Sequence, residues 1–166
     1  MGMVLPVALF YGGLAQFAAG MWEMKRGKTF GTTVFTSFGA FWMALAFMNF
    51  FEFNGIYIAT PATGMAWFFL AWGIFSIILT VCAVRASKLL VIVFACLTLF
   101  FLLLAVSGFR ADYLLEQVAG FTGIIAAFLM LYHGAAVLLH ESFGRPLLPV
   151  GLPRTNTGVK PKKPKR

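Results

Sequence analysis

Few side chains in these 166 residues are equipped for chemistry. There are five acids (Glu23, Glu52, Asp112, Glu116 and Glu141), two histidines (His133 and His140) and two cysteines (Cys82 and Cys96). Neither histidine has a second His, Cys or carboxylate at metal-ligand spacing, so both read as packed or rim histidines. The cysteines lie inside apolar runs and read as small buried hydrophobes with free thiols, and a disulfide framework is excluded. Gly27-Lys28-Thr29 looks like the end of a phosphate-binding loop, but Trp22 stands where that pattern requires a glycine. No Gly-x-Ser-x-Gly, His-Glu-x-x-His or Cys-x-x-Cys occurs. Nothing supports an enzyme, and no metal or other cofactor is expected.

The informative polar residues are neutral and sit within long apolar runs: Gln16 in the first, Thr32, Thr33, Thr36 and Ser37 in the second, Ser76 and Thr80 in the third, Thr98 and Ser107 in the fourth, and Thr122 in the fifth. A hydroxyl there either bonds its own helix carbonyl four residues back or lines a polar path. A mid-membrane amide such as Gln16 is costly without a partner. No Lys, Arg or Asp occupies the centre of a run, which argues against a deep buried proton relay and leaves coupling near the rims open. A path lined by neutral hydroxyls suits a small ion that binds weakly enough to leave. Small residues also recur in rows, Ala8, Gly12, Ala15 and Ala19 in the first run and Ala119, Gly123, Ala127 and Gly134 in the last. Such rows allow close helix packing or leave room for a pore, and Gly12-Gly13 is expected to loosen its helix.

The elements that carry these residues follow from composition. The chain is 61% hydrophobic and 11% charged, with a mean hydropathy of +0.90. A soluble domain has about 25% charged residues, so the bilayer is the solvent for much of this surface. Five runs are long enough to span, near 3–22, 30–51, 63–84, 89–107 and 115–139. They do not alternate as barrel strands do. The expected fold is an all-α polytopic membrane helix bundle over residues 1–151, followed by a basic, disordered tail at 152–166. Lys25-Arg26-Gly27-Lys28 ends the first run, with Thr29 expected to cap the second helix. Asn54-Gly55 and Thr60-Pro61 mark the second break, Arg85–Lys88 the third and Gly108–Asp112 the fourth.

Orientation follows from the 13 basic residues. Lys25, Arg26, Lys28, Arg85, Lys88, Arg145, Arg154, Lys160, Lys162, Lys163, Lys165 and Arg166 fall on one side, and only Arg110 on the other. The positive-inside rule makes the first side, with the carboxyl terminus, cytoplasmic. The net charge of +8 therefore reads as topology and as attraction of anions to the cytoplasmic mouth, not as nucleic-acid binding. Five spans then put Met1 outside, an awkward place with no signal peptide before it.

The run Phe10-Tyr11-Gly12-Gly13-Leu14-Ala15-Gln16, then Gly20, Glu23 and the unbroken Gly27-Lys28-Thr29-Phe30-Gly31-Thr32-Thr33-Val34-Phe35-Thr36-Ser37-Phe38-Gly39-Ala40-Phe41-Trp42, strongly resembles the acetate uptake transporter family. The likeness continues through Trp72-Gly73, Leu97-Thr98, Ala119–Gly123 and Phe143–Gly151, covering about residues 4–151. The resemblance implies six spanning helices with both termini cytoplasmic, a homo-hexamer with one pore per protomer in the cytoplasmic membrane, and transport of acetate and related small carboxylates, succinate among them in some members. It leaves proton symport and channel-like permeation both open. It implies a pore constriction that includes Phe38 and Leu97, and a pore-lining role for Gln16. Thr33, Thr36, Ser37 and Thr98 are further pore-lining candidates.

The chain departs from the family in three places. It lacks the Asn-Pro-x-Pro-Leu-Gly-Leu signature and the first helix that follows it, and with them the constriction's third member, an aromatic. Phe38 stands where the family usually has Tyr, and Val137 where some relatives carry an acid. The alternative is therefore a non-transporting membrane protein, a remnant without a complete pore. A missing upstream helix would also explain the awkward amino terminus, so the sequence is expected to be truncated or mis-started. The genomic frame before Met1 should encode a helix bearing that signature; a closed frame there would contradict the expectation.

Overall fold

The computed structural model describes residues 3–56 and 60–151. It has five long helices: α1 (Val4–Lys25), α2 (Thr29–Phe53), α3 (Ala62–Ala83), α4 (Lys88–Arg110) and α5 (Tyr113–Phe143), with no strand among the described residues. The shortest have 22 residues, about 33 Å at 1.5 Å per residue, enough for a hydrocarbon core of about 30 Å. The helices coincide with the expected runs, with Met3 and Val84 just outside α1 and α3, and outlast several of them. α4 continues to Arg110 and α5 to Phe143, because a helix satisfies its own backbone whether or not its last turns still lie in hydrocarbon. The basic tail at 152–166 lies outside the described residues.

The breaks are built from backbone hydrogen bonds. Gly27, at φ +70°, ends α1: its N–H donates to Met24 O, and the Lys28 N–H donates to Glu23 O, at 3.0 Å each. This is the Schellman pattern. Gly55 repeats it after α2, with Gly55 N–H to Glu52 O and Ile56 N–H to Phe51 O. The first of these turns overturns the expected cap. Lys28, not Thr29, precedes α2, and no side chain caps that end; Thr29 is already helical because the α1 turn fixes the residue before it. Real caps occur at Ser87, whose hydroxyl accepts from Leu90 N–H, and at Asp112, whose carboxylate accepts from Leu114 and Leu115 N–H. The fourth break is narrower than expected, with Gly108 inside α4 and the reversal confined to Ala111 and Asp112.

The chain forms two compact units, Met1–Pro61 and Ala62–Arg166. In the first, α1 and α2 pack as an antiparallel hairpin at near-backbone distance. A Cβ on Gly39 would lie 2.7 Å from Phe17 N, and one on Gly20 2.7 Å from Thr36 N. The row facing α2 is not the expected one. Ala8, Gly13 and Gly20 are buried and Gly12 is half-buried, while Ala15 and Ala19 are exposed. The cause is local: Ala8–Ala15 is π-helical, as the Gly12-Gly13 pair foreshadows. Its i→i+5 turns bring Ala8 and Gly13 onto one side, which four-residue counting misses.

In the second unit α4 is central. It meets α3 through Phe69 stacked on Phe101, with ring centroids 6.4 Å apart, and through Leu102 over Gly73 and Ala66 against Gly108. It meets α5 where Phe100 covers Gly123. Within α5 the buried residues are Ala119, Ala126 and Ala136, whereas Ala127 and Gly134 are exposed. Two steps of four carry Ala127 about 80° round the helix from Ala119, and the step of seven to Gly134 returns only about 20°, so only the first half of the expected row stays on the contact. After α5, the segment 144–151 returns to the start of α4. Lys88 N–H donates to Gly151 O at 2.8 Å and Leu89 N–H to Val150 O at 3.2 Å, while Tyr132 Oη donates to Pro149 O at 3.1 Å. This strap satisfies donors that a helix start leaves orphaned.

Gly39→Ala should lower thermal stability in detergent by about 1–3 kcal/mol through overpacking. Gly134→Ala, where a Cβ meets nothing within 4 Å, should be neutral or stabilising by up to about 1 kcal/mol. Equal effects of the two would contradict the close approach of α1 and α2.

Candidate permeation-path residues

The expected path residues divide between the units. In the first, Phe38 is only 6% exposed and meets Phe41 edge-on at 6.4 Å. Its neighbour Gly39 touches the backbone of Phe17, and Gly20 that of Thr36, so in this antiparallel pair Phe38 lies level with Ala18 and Gln16 with Ala40. Gln16 is half-buried beside the glycine contact. Thr33, Thr36 and Ser37 are half-buried on α2. Thr36 gives its hydrogen to Thr32 O at 2.7 Å, and Thr32 gives its own to Lys28 O at 3.0 Å. Back-bonding to the same helix is thus realised at both, and the Thr36 methyl faces Gly20.

In the second unit Leu97 and Thr98 are half-buried on α4. Thr98 Oγ1 lies 3.2 Å from Thr80 Oγ1 of α3, and Thr80 Oγ1 also bonds Ser76 O at 2.8 Å. Ser76 is fully buried, and its hydroxyl has no hydrogen-bond partner. Reading residues singly places all three hydroxyls inside spans but not the contact of Thr80 with Thr98, which depends on the register between two helices. A hydrogen bond between membrane helices contributes about 0.6 kcal/mol on average, up to about 1.7.

At the α1–α2 turn Glu23 is held among cations. Its carboxylate, 18% exposed, sits 3.3 Å from Arg26 and 3.9 Å from Lys28, directly over Gly31 of the α2 start, where a Cβ would come within 2.6 Å. Lys25 Nζ lies 5.1 Å from the Trp22 ring centroid. The expected attraction of anions by this loop is therefore weaker than its three cations suggest, since two of them share one carboxylate. Among the described residues no three His, Cys, Asp or Glu side chains form a metal-binding group. Cys82 and Cys96 are free thiols, but Cys82 is exposed rather than buried, on an outward face that a bilayer would cover. Two apolar hollows of about 420 and 470 Å³ flank the first half of α1; neither includes any expected path residue.

Residues 1–150 match the model of the GPR1/FUN34/yaaH family. The chain belongs to this family. It is 35% identical over 150 residues to the succinate-acetate/proton symporter SatP of Escherichia coli, covering 90% of this chain and 80% of that protein. It is 33% identical to acetate permease A of Emericella nidulans, covering 94% of this chain and 58% of that longer protein. Among solved structures, the bacterial acetate channel SatP superposes with a TM-score of 0.89 at 34% identity, covering 91% of this chain and 83% of that one. The all-helical membrane fold expected from hydropathy and from the resemblance is that of a transporter family.

Ser76→Ala removes a buried hydroxyl that lacks a partner. It should leave thermal stability unchanged or raise it by about 1 kcal/mol; a loss larger than that would show that Ser76 has a partner in the folded protein.

Proposed function

We propose that this protein carries acetate and related small carboxylates, succinate among them, across the cytoplasmic membrane through a path within each protomer. The observation that carries this reading is the match to an acetate channel over 91% of the chain at a TM-score of 0.89. The side chains are consistent with it. Acetate pairs an apolar methyl with a carboxylate, so a path needs weak polar donors and a narrow apolar neck rather than fixed charges. Gln16, Thr33 and Ser37 are half-buried neutral polar groups of the first kind, and Phe38 and Leu97 are apolar groups suited to the second. We read them as lining and neck respectively.

The relatives' names include both a proton symporter and a channel, and either mechanism suits this chain. Its acids lie at helix ends and turns, where a coupled proton would have to be handled. A homo-hexameric assembly and a cytoplasmic carboxyl terminus belong to the same reading, the latter resting on the uneven placement of the basic residues.

Liposomes containing the purified chain should take up labelled acetate faster than empty ones. Leu97→Trp and Phe38→Asp should each reduce the rate at least about tenfold, a barrier increase of about 1.4 kcal/mol. Flat uptake by folded protein would favour a non-transporting membrane protein instead.

A further inference from the structure

The hydroxyl pair between α3 and α4 has a direction. Thr80 Oγ1 lies 2.8 Å from Ser76 O, and a carbonyl can only accept, so the single Thr80 hydrogen goes there. In the 3.2 Å contact with Thr98 Oγ1, Thr80 must then accept and Thr98 donate. Thr98 has no second hydrogen to offer an anion. What remains at its oxygen is lone-pair density, which a carboxylate avoids.

Thr98 is therefore poorly placed to bind a passing carboxylate and well placed to hold α4. Other contacts between these helices, Phe69 and Trp72 against Phe101, Leu102 over Gly73 and Ala66 against Gly108, are apolar packing contacts without the directionality of a hydrogen bond. A hydrogen bond is directional, so it defines the rotation of α4 about its axis. Leu97 precedes Thr98 and projects about 100° away around the helix. It lies between the buried row Phe94, Phe101 and Ala105 and the side where Phe100 meets α5. Half-buried and without a polar side-chain atom, Leu97 makes no directional bond of its own; its projection follows the rotation of α4.

We infer that Thr80 and Thr98 are positioning residues that hold Leu97 in register and so set which carboxylates the neck admits. This deepens the reading of Leu97 as a neck residue and rests on it. Thr80→Val and Thr98→Val remove the bond at nearly constant volume, and Thr80→Ser retains it. In liposomes each valine variant should change the ratio of butyrate to acetate flux by at least about threefold, the factor carried by an interhelical hydrogen bond of average strength. The double variant should go no further than the larger single, and Thr80→Ser should keep the parent ratio.

A second readout does not depend on transport. Leu97→Cys, in a chain with Cys82→Ala and Cys96→Ala, is labelled in liposomes with a small methanethiosulfonate reagent. Adding Thr80→Val should change the labelling rate by at least about threefold, and adding Thr80→Ser should not. An unchanged rate with Thr80→Val overturns the positioning role whether or not acetate is carried, as does an equal change with Thr80→Ser. Altered labelling in a protein that carries no acetate supports the positioning role and overturns only the transport reading. Should Thr80→Val fail to fold, Thr98→Val, which leaves the bond within α3 intact, supplies both readouts.

Discussion

Hydrocarbon offers no hydrogen-bond partner, and the architecture of this chain follows from that deficit. Every backbone donor and acceptor at membrane depth must be satisfied by the chain itself, so the apolar runs become helices. The same deficit governs their ends. The turns at Gly27 and Gly55 pair the last carbonyls with the next two amides, Ser87 and Asp112 cap the starts of α4 and α5, and the strap from Pro149 to Gly151 supplies carbonyls to α4 and to Tyr132. Several threonine hydroxyls within spans follow the same rule. Thr32, Thr36 and Thr80 each return a hydrogen to a carbonyl one turn back.

With polar groups satisfied locally, little except close contact holds the helices together, because lipid tails are as apolar as leucine. The glycines answer that need. Gly20 and Gly39 let α1 and α2 approach to backbone contact, and Gly73 and Gly123 receive Leu102 and Phe100. Phe121, Phe128, Leu131 and Leu138 of α5 are left exposed, a surface that would be a liability in water and is ordinary against acyl chains. A transport path imposes the opposite demand, for polar groups that are not fully satisfied. Gln16, Thr33 and Ser37 are half-buried without the back-bonding that occupies Thr32 and Thr36, and this separates candidates that composition alone treats alike.

The number of helices, their approximate limits and the Asn54-Gly55 and Arg85–Lys88 breaks were legible because they depend on length, charge and turn chemistry, all local properties. The family was legible because one long motif block runs without a gap from Gly27 to Trp42. The small-residue rows were half legible. Gly12 and Ala8, and Ala119 and Gly123, do face their neighbours, but the later members of both rows do not. A uniform helical repeat cannot anticipate the π-helical turns of α1, nor the drift that accumulates along α5. The cap expected at Thr29 failed for a related reason, since the preceding turn, not the hydroxyl, decides where α2 begins.

By itself, then, the amino-acid order determined that this is a helical membrane protein, where its spans run, and which neutral polar residues are available within them. It does so because the transfer of side chains into lipid and the satisfaction of a helical backbone are properties of short stretches of chain. Tertiary structure alone decided which of those residues meet. Thr80 meets Thr98, and Glu23 meets Lys28 over the start of α2. Such encounters depend on the rotation and height of one helix against another, and those are set by the sum of many weak contacts rather than by any residue read in place.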